Sequence, residues 1–199
     1  GFDSDVMDIF GALLNGAALF PYDLRANGIE PLSGWIIDNK ITVFHTAPTI
    51  YRYFIDSLKG LKMLDIRLVV LGGESVFRKD FQAFKEHFQD GAAFINGYGP
   101  TESTITMQKI MYHNSEINSL KVPLGLPVFK TNTYLLTDKN RKANIYQLGE
   151  IVYQSDYLAI GYLNNAELTS SRFTADPLDM KGRVYRSGDL GKLLPSGEI

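Results

Sequence analysis

The residues of this chain best equipped for chemistry lie in one run, Asn96-Gly97-Tyr98-Gly99-Pro100-Thr101-Glu102. A hydroxyl and a carboxylate stand side by side at Thr101 and Glu102, behind a segment shaped by two glycines and a proline. Gly97 and Gly99 permit backbone angles and close approaches that a side chain blocks. Pro100 forces a turn and removes an amide donor. The run follows Ala92-Ala93-Phe94-Ile95, an apolar stretch that reads as a buried strand. Strand, tight turn, hydroxyl and acid at a strand's carboxyl end suit a phosphate–metal site in an open α/β sheet. The same residues also suit an ordinary structural turn, since Gly and Pro punctuate loops of every kind. The spacing is not that of a dinucleotide fingerprint, because Pro100 stands where that motif continues into a helix. On residue types alone, both readings stand.

The elements that must position this run alternate in type. Asp3 or Ser4 can cap a predicted helix reaching about Asn15, with Val6, Ile9, Phe10, Leu13 and Leu14 on its apolar face and Gly16 to end it. A short strand is predicted at 17–20, a helix at 29–39 and a strand at 41–45, followed by a helix opening at Pro48. A β-rich run at 67–71 ends in Gly72-Gly73-Glu74. Phe77, Phe81, Phe84 and Phe88 mark the buried stripe of a helix over 76–88, and that spacing makes them core rather than a cofactor box. Strands alternating with helices predict βαβ units and a largely parallel sheet. Asp3, His45, 72–74 and 96–102 all fall at element ends, where ligand sites of such sheets gather.

After about residue 117 the pattern changes. Strands are predicted at 131–137, 150–154, 183–186 and 192–194, a polar turn at Asp138-Lys139-Asn140-Arg141, and a short helix at 166–173. The expected architecture is therefore α/β: a mostly parallel sheet with flanking helices in 1–117, followed by a smaller, mostly β, barrel-like unit in 118–199. The first residues open straight into a helix and the last stop inside what reads as a hairpin, so an internal fragment of a longer chain is expected.

Composition narrows the function. The chain has 199 residues, 45% hydrophobic and 21% charged, as ordinary globular proteins do. A net charge of −2 with scattered Lys and Arg gives no footprint for nucleic acid. Without cysteine there is no disulfide framework and no thiolate ligand or nucleophile, and the scattered His45, His87 and His113 argue against zinc. No apolar run approaches the roughly 18 residues of a membrane span. With no signal peptide at the start, a cytoplasmic location is expected.

The run at 96–102 taken with Tyr185-Arg186-Ser187-Gly188-Asp189-Leu190 is not a generic pair. Collinear with them stand F-D-S-D-V-M-D-I-F-G-A-L-L-N-G-A from Phe2, I-T-V-F-H-T-A-P-T from Ile41, L-G-G-E from Leu71 and V-P-L-G-L-P from Val122. G-E-I-V-Y from Gly149 and G-Y-L-N-N-A-E-L-T from Gly161 complete the series. Over essentially its whole length the chain resembles the adenylation domains of nonribosomal peptide synthetases, within the superfamily of acyl-CoA synthetases and luciferases.

That resemblance implies activation of a carboxylic acid with ATP to an acyl-adenylate, release of pyrophosphate, and transfer to the phosphopantetheine thiol of a peptidyl carrier domain. It implies Tyr98 beside adenine, with Asn96, Gly99 and the Gly72-Gly73-Glu74 backbone lining the nucleotide. Thr101 would bind phosphate oxygens, Glu102 would hold Mg²⁺ and Asp189 would accept from both ribose hydroxyls. These residue types suit the chemistry: in-line attack at phosphorus needs positioning and charge neutralisation, and a hard carboxylate suits Mg²⁺. Asp3 would pair with the α-ammonium of an amino acid, although as a residue it serves equally well as a helix cap. Ser4, Met7, His45, Val70, Gly72, Gly97, Ile105 and Thr106 would line the side-chain pocket, with His45 and Thr106 each able to donate a hydrogen bond. Such a pocket fits a neutral side chain of medium to large size. His45 equally reads as a paired, partly buried histidine at a strand end.

Departures from the family pattern are small. Ser187 replaces the usual threonine before Gly188-Asp189, 154–160 lacks the usual glycines and Ala-Arg, and Asn165-Ala166 replaces Arg-Pro. The family's phosphate loop would precede Gly1, and its C-terminal catalytic lysine would follow Ile199. Residues 1–199 alone are therefore expected to adenylate nothing measurable. A stand-alone acyl- or aryl-CoA ligase and a non-catalytic scaffold on this fold are the alternatives.

Overall fold

The computed structural model describes residues 4–178 and 182–199, with only the backbone of Ser4. The chain forms two compact units, Gly1–Gly97 with Lys109–Pro123, and Tyr98–Gln108 with Leu124–Ile199.

The first unit holds α1 (Ser4–Leu13), α2 (Leu24–Asn27), α3 (Leu32–Asp38), β1 (Val43–Thr46), α4 (Pro48–Ser57), β2 (Leu68–Gly72), α5 (Arg78–His87) and β3 (Ala93–Tyr98). β1, β2 and β3 are parallel neighbours, in the register Phe44–Val69–Phe94, His45–Val70–Ile95 and Thr46–Leu71–Asn96, and Gly72 faces Gly97 beyond them. This is the α/β alternation that the hydrophobic pattern predicts.

Side chains alternate across a strand, and the two faces of this sheet differ accordingly. Val69, Leu71 and Phe94 are fully buried against Tyr51 and Phe54 of α4 and Phe81 and Phe84 of α5. Burying each such side chain contributes about 1.5–3 kcal/mol, and the Phe84–Phe94 and Phe81–Phe94 rings meet edge-on at 5.2 and 5.6 Å. Phe81, Phe84 and Phe88 are thus core, as their spacing requires. Asp80 starts α5 by accepting from the Phe77 amide at 2.8 Å; Phe77 has no side-chain acceptor, so only this half of a capping box exists. Arg52 of α4 grips the same buried carboxylate at 2.9 and 2.8 Å.

Several expected elements differ. Residues 17–20 form no strand; they lack a ladder partner, and Phe20 instead packs edge-on against Trp35 at 6.2 Å. The apolar stripe of α1 is not buried among the described residues, with Leu13 59% and Leu14 79% exposed. Periodicity locates a helix face but not its partner.

In the second unit, β6 (Thr131–Leu136), β7 (Leu148–Ser155), β8 (Phe173–Ala175) and β9 (Arg183–Lys192) form an antiparallel sheet in the order β6–β7–β9–β8. β6 and β8 stand at its edges, and the chain has the α/β architecture expected, a parallel-containing sheet and a separate antiparallel one. The short helix α6 (Ala166–Arg172) leads into β8. Two strands escaped the sequence pattern, β4 (Met107–Met111) and β5 (Leu126–Pro127), which pair antiparallel through Met107–Pro127 and Gln108–Leu126. Where two strands were expected around Ser187-Gly188-Asp189, β9 runs through unbroken. A register shift between Glu150 and Val152 of β7 absorbs the irregular backbone there.

Candidate functional site

In the first unit, the parallel register gathers four expected pocket residues on one face of the sheet. His45 and Val70 are register partners, and Gly72 and Gly97 lie opposite each other further along the same face. A Cβ at Gly72 would stand 3.2 Å from the Gly97 carbonyl oxygen, so the two glycines keep this corner of the sheet free of side chains. His45 does not stand alone: its Nδ1 lies 2.8 and 2.9 Å from the two carboxylate oxygens of Asp8 on α1. Nothing in the spacing of the two residues announced this pair. Met7 is half-buried on α1 beside Asp8. Asp3, the expected amine partner, lies outside the described residues, as does the side chain of Ser4.

Gly73 adopts a positive φ of 82°, and the Glu74 carboxylate turns back to accept from the Thr49 amide at 3.1 Å and its hydroxyl at 2.5 Å. A distant acid thereby caps α4, whose own N-cap, Ala47, has no side-chain acceptor. Asn96 is buried, and its amide nitrogen donates to the Pro123 carbonyl at 3.0 Å, which commits that nitrogen to backbone.

The second unit begins at Tyr98 and receives the rest of the run. Gly99 is obligatory: an added Cβ would fall 1.7 Å from the Thr104 carbonyl oxygen. The Ser103 amide closes the turn onto the Pro100 carbonyl at 2.9 Å, leaving Thr101 exposed and Glu102 half-buried. Ile105 is half-buried. Thr106 is fully buried, and its amide and hydroxyl both donate to the Tyr98 carbonyl, at 3.0 and 3.2 Å. The hydrogen bond expected of the Thr106 hydroxyl toward a substrate is thus spent on closing the loop.

Two acidic residues of the run's neighbourhood have hydroxyl partners that sequence reasoning missed. The Tyr98 hydroxyl donates to the Asp189 carboxylate. Burial, helped by neighbouring Tyr153 and by Asp189, holds the Tyr98 phenol well above its usual range, so it remains a donor. Glu102 receives the Tyr162 hydroxyl at 2.5 Å on Oε1, and the Tyr185 hydroxyl lies 3.5 Å from that of Tyr162. Burial alone would raise the Glu102 carboxyl, but hydrogen bonds from Tyr162 and Tyr185 and the charge of Arg172 outweigh it and hold it below the usual carboxylate range. Glu102 is therefore ionised at neutral pH.

The Y-R-S-G-D-L stretch is fastened by another unforeseen acid. Glu150 accepts from Arg186 at 2.9 and 2.5 Å and from the Gly188 amide at 3.0 Å. Ser187 donates to the Ile151 carbonyl at 2.7 Å and accepts from the Asp189 amide at 3.0 Å. Gly188 sits at φ 80°, and a Cβ there would stand 2.8 Å from Arg172 Nη1. Tyr162, Tyr185 and Glu150 all lie inside motifs already singled out, so motif membership was the available signal and the partners were not. A separate cavity of about 640 Å³, lined by Lys130, Asn132, Gln154, Asp156 and Arg183 among others, includes none of these residues.

One carboxylate, ionised and braced, is what this arrangement offers a cation. Among the described residues no cluster of three or more His, Cys, Asp or Glu is placed to hold a metal. A lone hard oxygen donor fits Mg²⁺, which keeps waters and takes phosphate oxygens from its substrate.

A family model described as AMP-binding enzyme matches residues 1–163. Tyrocidine synthase 3 of Brevibacillus parabrevis is 32% identical over 198 residues, covering 100% of this chain and 3% of that protein. The chain thus spans a few per cent of the length of such relatives. Among solved structures, the Vibrio cholerae adenylation domain AlmE, in complex with glycyl-adenosine-5'-phosphate, matches with a TM-score of 0.85 at 26% identity, over 100% of this chain and 38% of that one. PA1221, an NRPS protein containing adenylation and PCP domains, matches with a TM-score of 0.79 at 26% identity, over 99% of this chain and 40% of that one. No helix among the described residues is long and apolar enough to cross a membrane.

Proposed function

The chain belongs to the family of AMP-binding enzymes, and from that membership we propose that it is the core of an adenylation domain activating an amino acid with ATP. The observation that carries the reading is the second unit's arrangement of acids. Asp189 and Glu102, from two distant motifs, are each held by a tyrosine hydroxyl around the turn that presents Thr101.

In this reading Tyr98 faces adenine, with Asn96, Gly99 and the 72–74 backbone about the nucleotide. Asp189 accepts from the ribose hydroxyls, and Thr101 donates to phosphate oxygens. Glu102 holds Mg²⁺, which when bound neutralises phosphate charge. A carboxylate oxygen of the substrate attacks the α-phosphorus, the bond to the bridging oxygen breaks, and pyrophosphate leaves. The residues position these groups, and most of the barrier reduction in such a transfer comes from that positioning.

Asp3 binds the substrate's α-ammonium in this reading. Ser4, Met7, His45, Val70, Gly72, Gly97, Ile105 and Thr106 surround its side chain. His45, oriented by Asp8, would supply a polar contact to that side chain. A neutral amino acid of medium to large size fits such a lining. The acyl group then passes to the phosphopantetheine thiol of a carrier domain; the occurrence of adenylation and PCP domains together in PA1221 supports this partner. A cytoplasmic setting accords with ATP as co-substrate.

The test is ATP–pyrophosphate exchange by the full-length chain across a panel of amino acids and of acids lacking the α-amine. Exchange driven by one or a few neutral amino acids is expected. Exchange driven only by amine-free acids would make the chain an acyl- or aryl-CoA ligase instead, and no ATP–Mg²⁺ binding at all would leave a scaffold.

A further inference from the structure

The G-Y-L-N-N-A-E-L-T run has no role in the proposed function, yet it and the segment just before it are both tied to Glu102. The Ala159 amide, just before the run, donates to the Glu102 carbonyl at 2.8 Å. The Tyr162 hydroxyl donates to Glu102 Oε1 at 2.5 Å.

The rest of the run fixes Tyr162. Its amide donates to Thr169 Oγ1 at 2.9 Å, and that hydroxyl donates to the Asn165 carbonyl at 2.8 Å. Asn165 in turn caps α6 through the Leu168 amide at 3.0 Å. Gly161 lies so close to this helix that a Cβ would stand 2.5 Å from Thr169 Cγ2. The Tyr162 ring rests edge-on against Phe173 at 5.8 Å. α6 itself buries no residue, so hydrophobic packing does not explain its place. What it contributes is Thr169, which holds the Tyr162 backbone.

We infer that Tyr162, set by Gly161 and Thr169, is a positioning residue that aims the Glu102 carboxylate at the metal. The inference rests on the reading of Glu102 as a Mg²⁺ ligand. A phenol donating to one carboxylate oxygen restricts rotation of the group and orients the second oxygen, without adding a ligand of its own. Outer partners of this kind commonly tune metal affinity by about 10–100-fold, and a hydroxyl-to-carboxylate bond is among the stronger neutral–charged contacts.

The experiment uses the full-length chain and its Tyr162→Phe, Thr169→Val and Glu102→Gln variants. ATP binding is followed by calorimetry at a series of Mg²⁺ concentrations, alongside the KM of the amino acid in pyrophosphate exchange. Tyr162→Phe keeps ring and volume, so hydrogen-exchange protection across 98–106 should persist. The Mg²⁺ concentration for half-maximal ATP binding should rise about 10-fold, with the amino-acid KM unchanged. Thr169→Val should give a smaller rise in the same direction. A Tyr162→Phe protein with wild-type Mg²⁺ dependence, while Glu102→Gln loses that dependence, overturns the inference alone. A changed dependence seen only with lost protection across 98–106 makes Tyr162 a structural prop and also overturns it. A wild type whose ATP binding ignores Mg²⁺ overturns the reading of Glu102 and the inference together.

Discussion

Tyr98 and Asp189 stand 91 positions apart in the chain and are joined by a hydrogen bond from phenol to carboxylate. Each belongs to a different motif, and in the proposed function each serves a different part of the nucleotide. In that proposal the pair would couple adenine recognition to ribose recognition before any ligand arrives. Because Asp189 is exposed, solvent screens the bond, and a double-mutant cycle of Tyr98→Phe and Asp189→Ala on ATP affinity should give a coupling of about 1 kcal/mol. Strictly additive effects would show that the contact carries no coupling.

Glu102 provides a pH dependence with a definite sign. Its carboxyl is held below the usual carboxylate range in the folded chain, because its tyrosine partners and Arg172 outweigh burial. A depressed carboxyl contributes stability that is present above the unfolded value and lost as pH falls through the folded one. Protection of the Ala159 amide, which donates to the Glu102 carbonyl, should exceed that in Glu102→Gln at neutral pH. The two should converge at more acidic pH, once exchange is corrected for its intrinsic pH dependence. A gap that stays constant into acid would contradict this assignment.

Gly99 and Gly34 should respond oppositely to alanine. At Gly99 the new Cβ would overlap the Thr104 carbonyl oxygen, and the turn carrying Thr101 and Glu102 must open. A cost of about 3 kcal/mol or more in local stability is expected, with loss of ATP binding. Gly34 lies within α3 with nothing within 4 Å of the added carbon. There alanine should stabilise by about 0.5–1 kcal/mol. Hydrogen exchange of the 98–106 and 32–38 peptides reads both outcomes.

Arg52→Leu should damage the first unit and leave the second intact. Asp80 is 2% exposed, and removing its guanidinium partner leaves a buried charge answered, among the described residues, by the Phe77 amide. Breaking such a pair costs about 3–5 kcal/mol. Loss of protection should centre on α5 and β2, while the 183–192 peptide is unchanged. Uniform loss across both units would point to a different origin.

Much of the fold is legible in the sequence, because helix and strand types follow from local periodicity. The phenylalanine spacing of α5, the apolar runs of β2 and β3 and the opening of α4 at Pro48 all express patterns complete within a dozen residues. Gly99 belongs to the same class: the crowding that demands glycine comes from residues five and six positions on. Resemblance to adenylation domains adds the motif order, and family membership follows from the match over residues 1–163.

Tertiary structure alone decided which side chains meet. His45 with Asp8, Glu102 with Tyr162, Arg186 with Glu150 and Tyr98 with Asp189 are separated by 37, 60, 36 and 91 positions. No local spacing encodes such contacts, because they arise only when sheet register and loop closure bring the strands' ends together. The unbroken β9 has the same origin. Gly188 argues locally for a break, but cross-strand pairing with β7 and the register shift beside Glu150 carry the strand through. The sequence by itself determined the chemical groups of this protein and their order; long-range pairing decided which of them are paired, oriented and kept ionised.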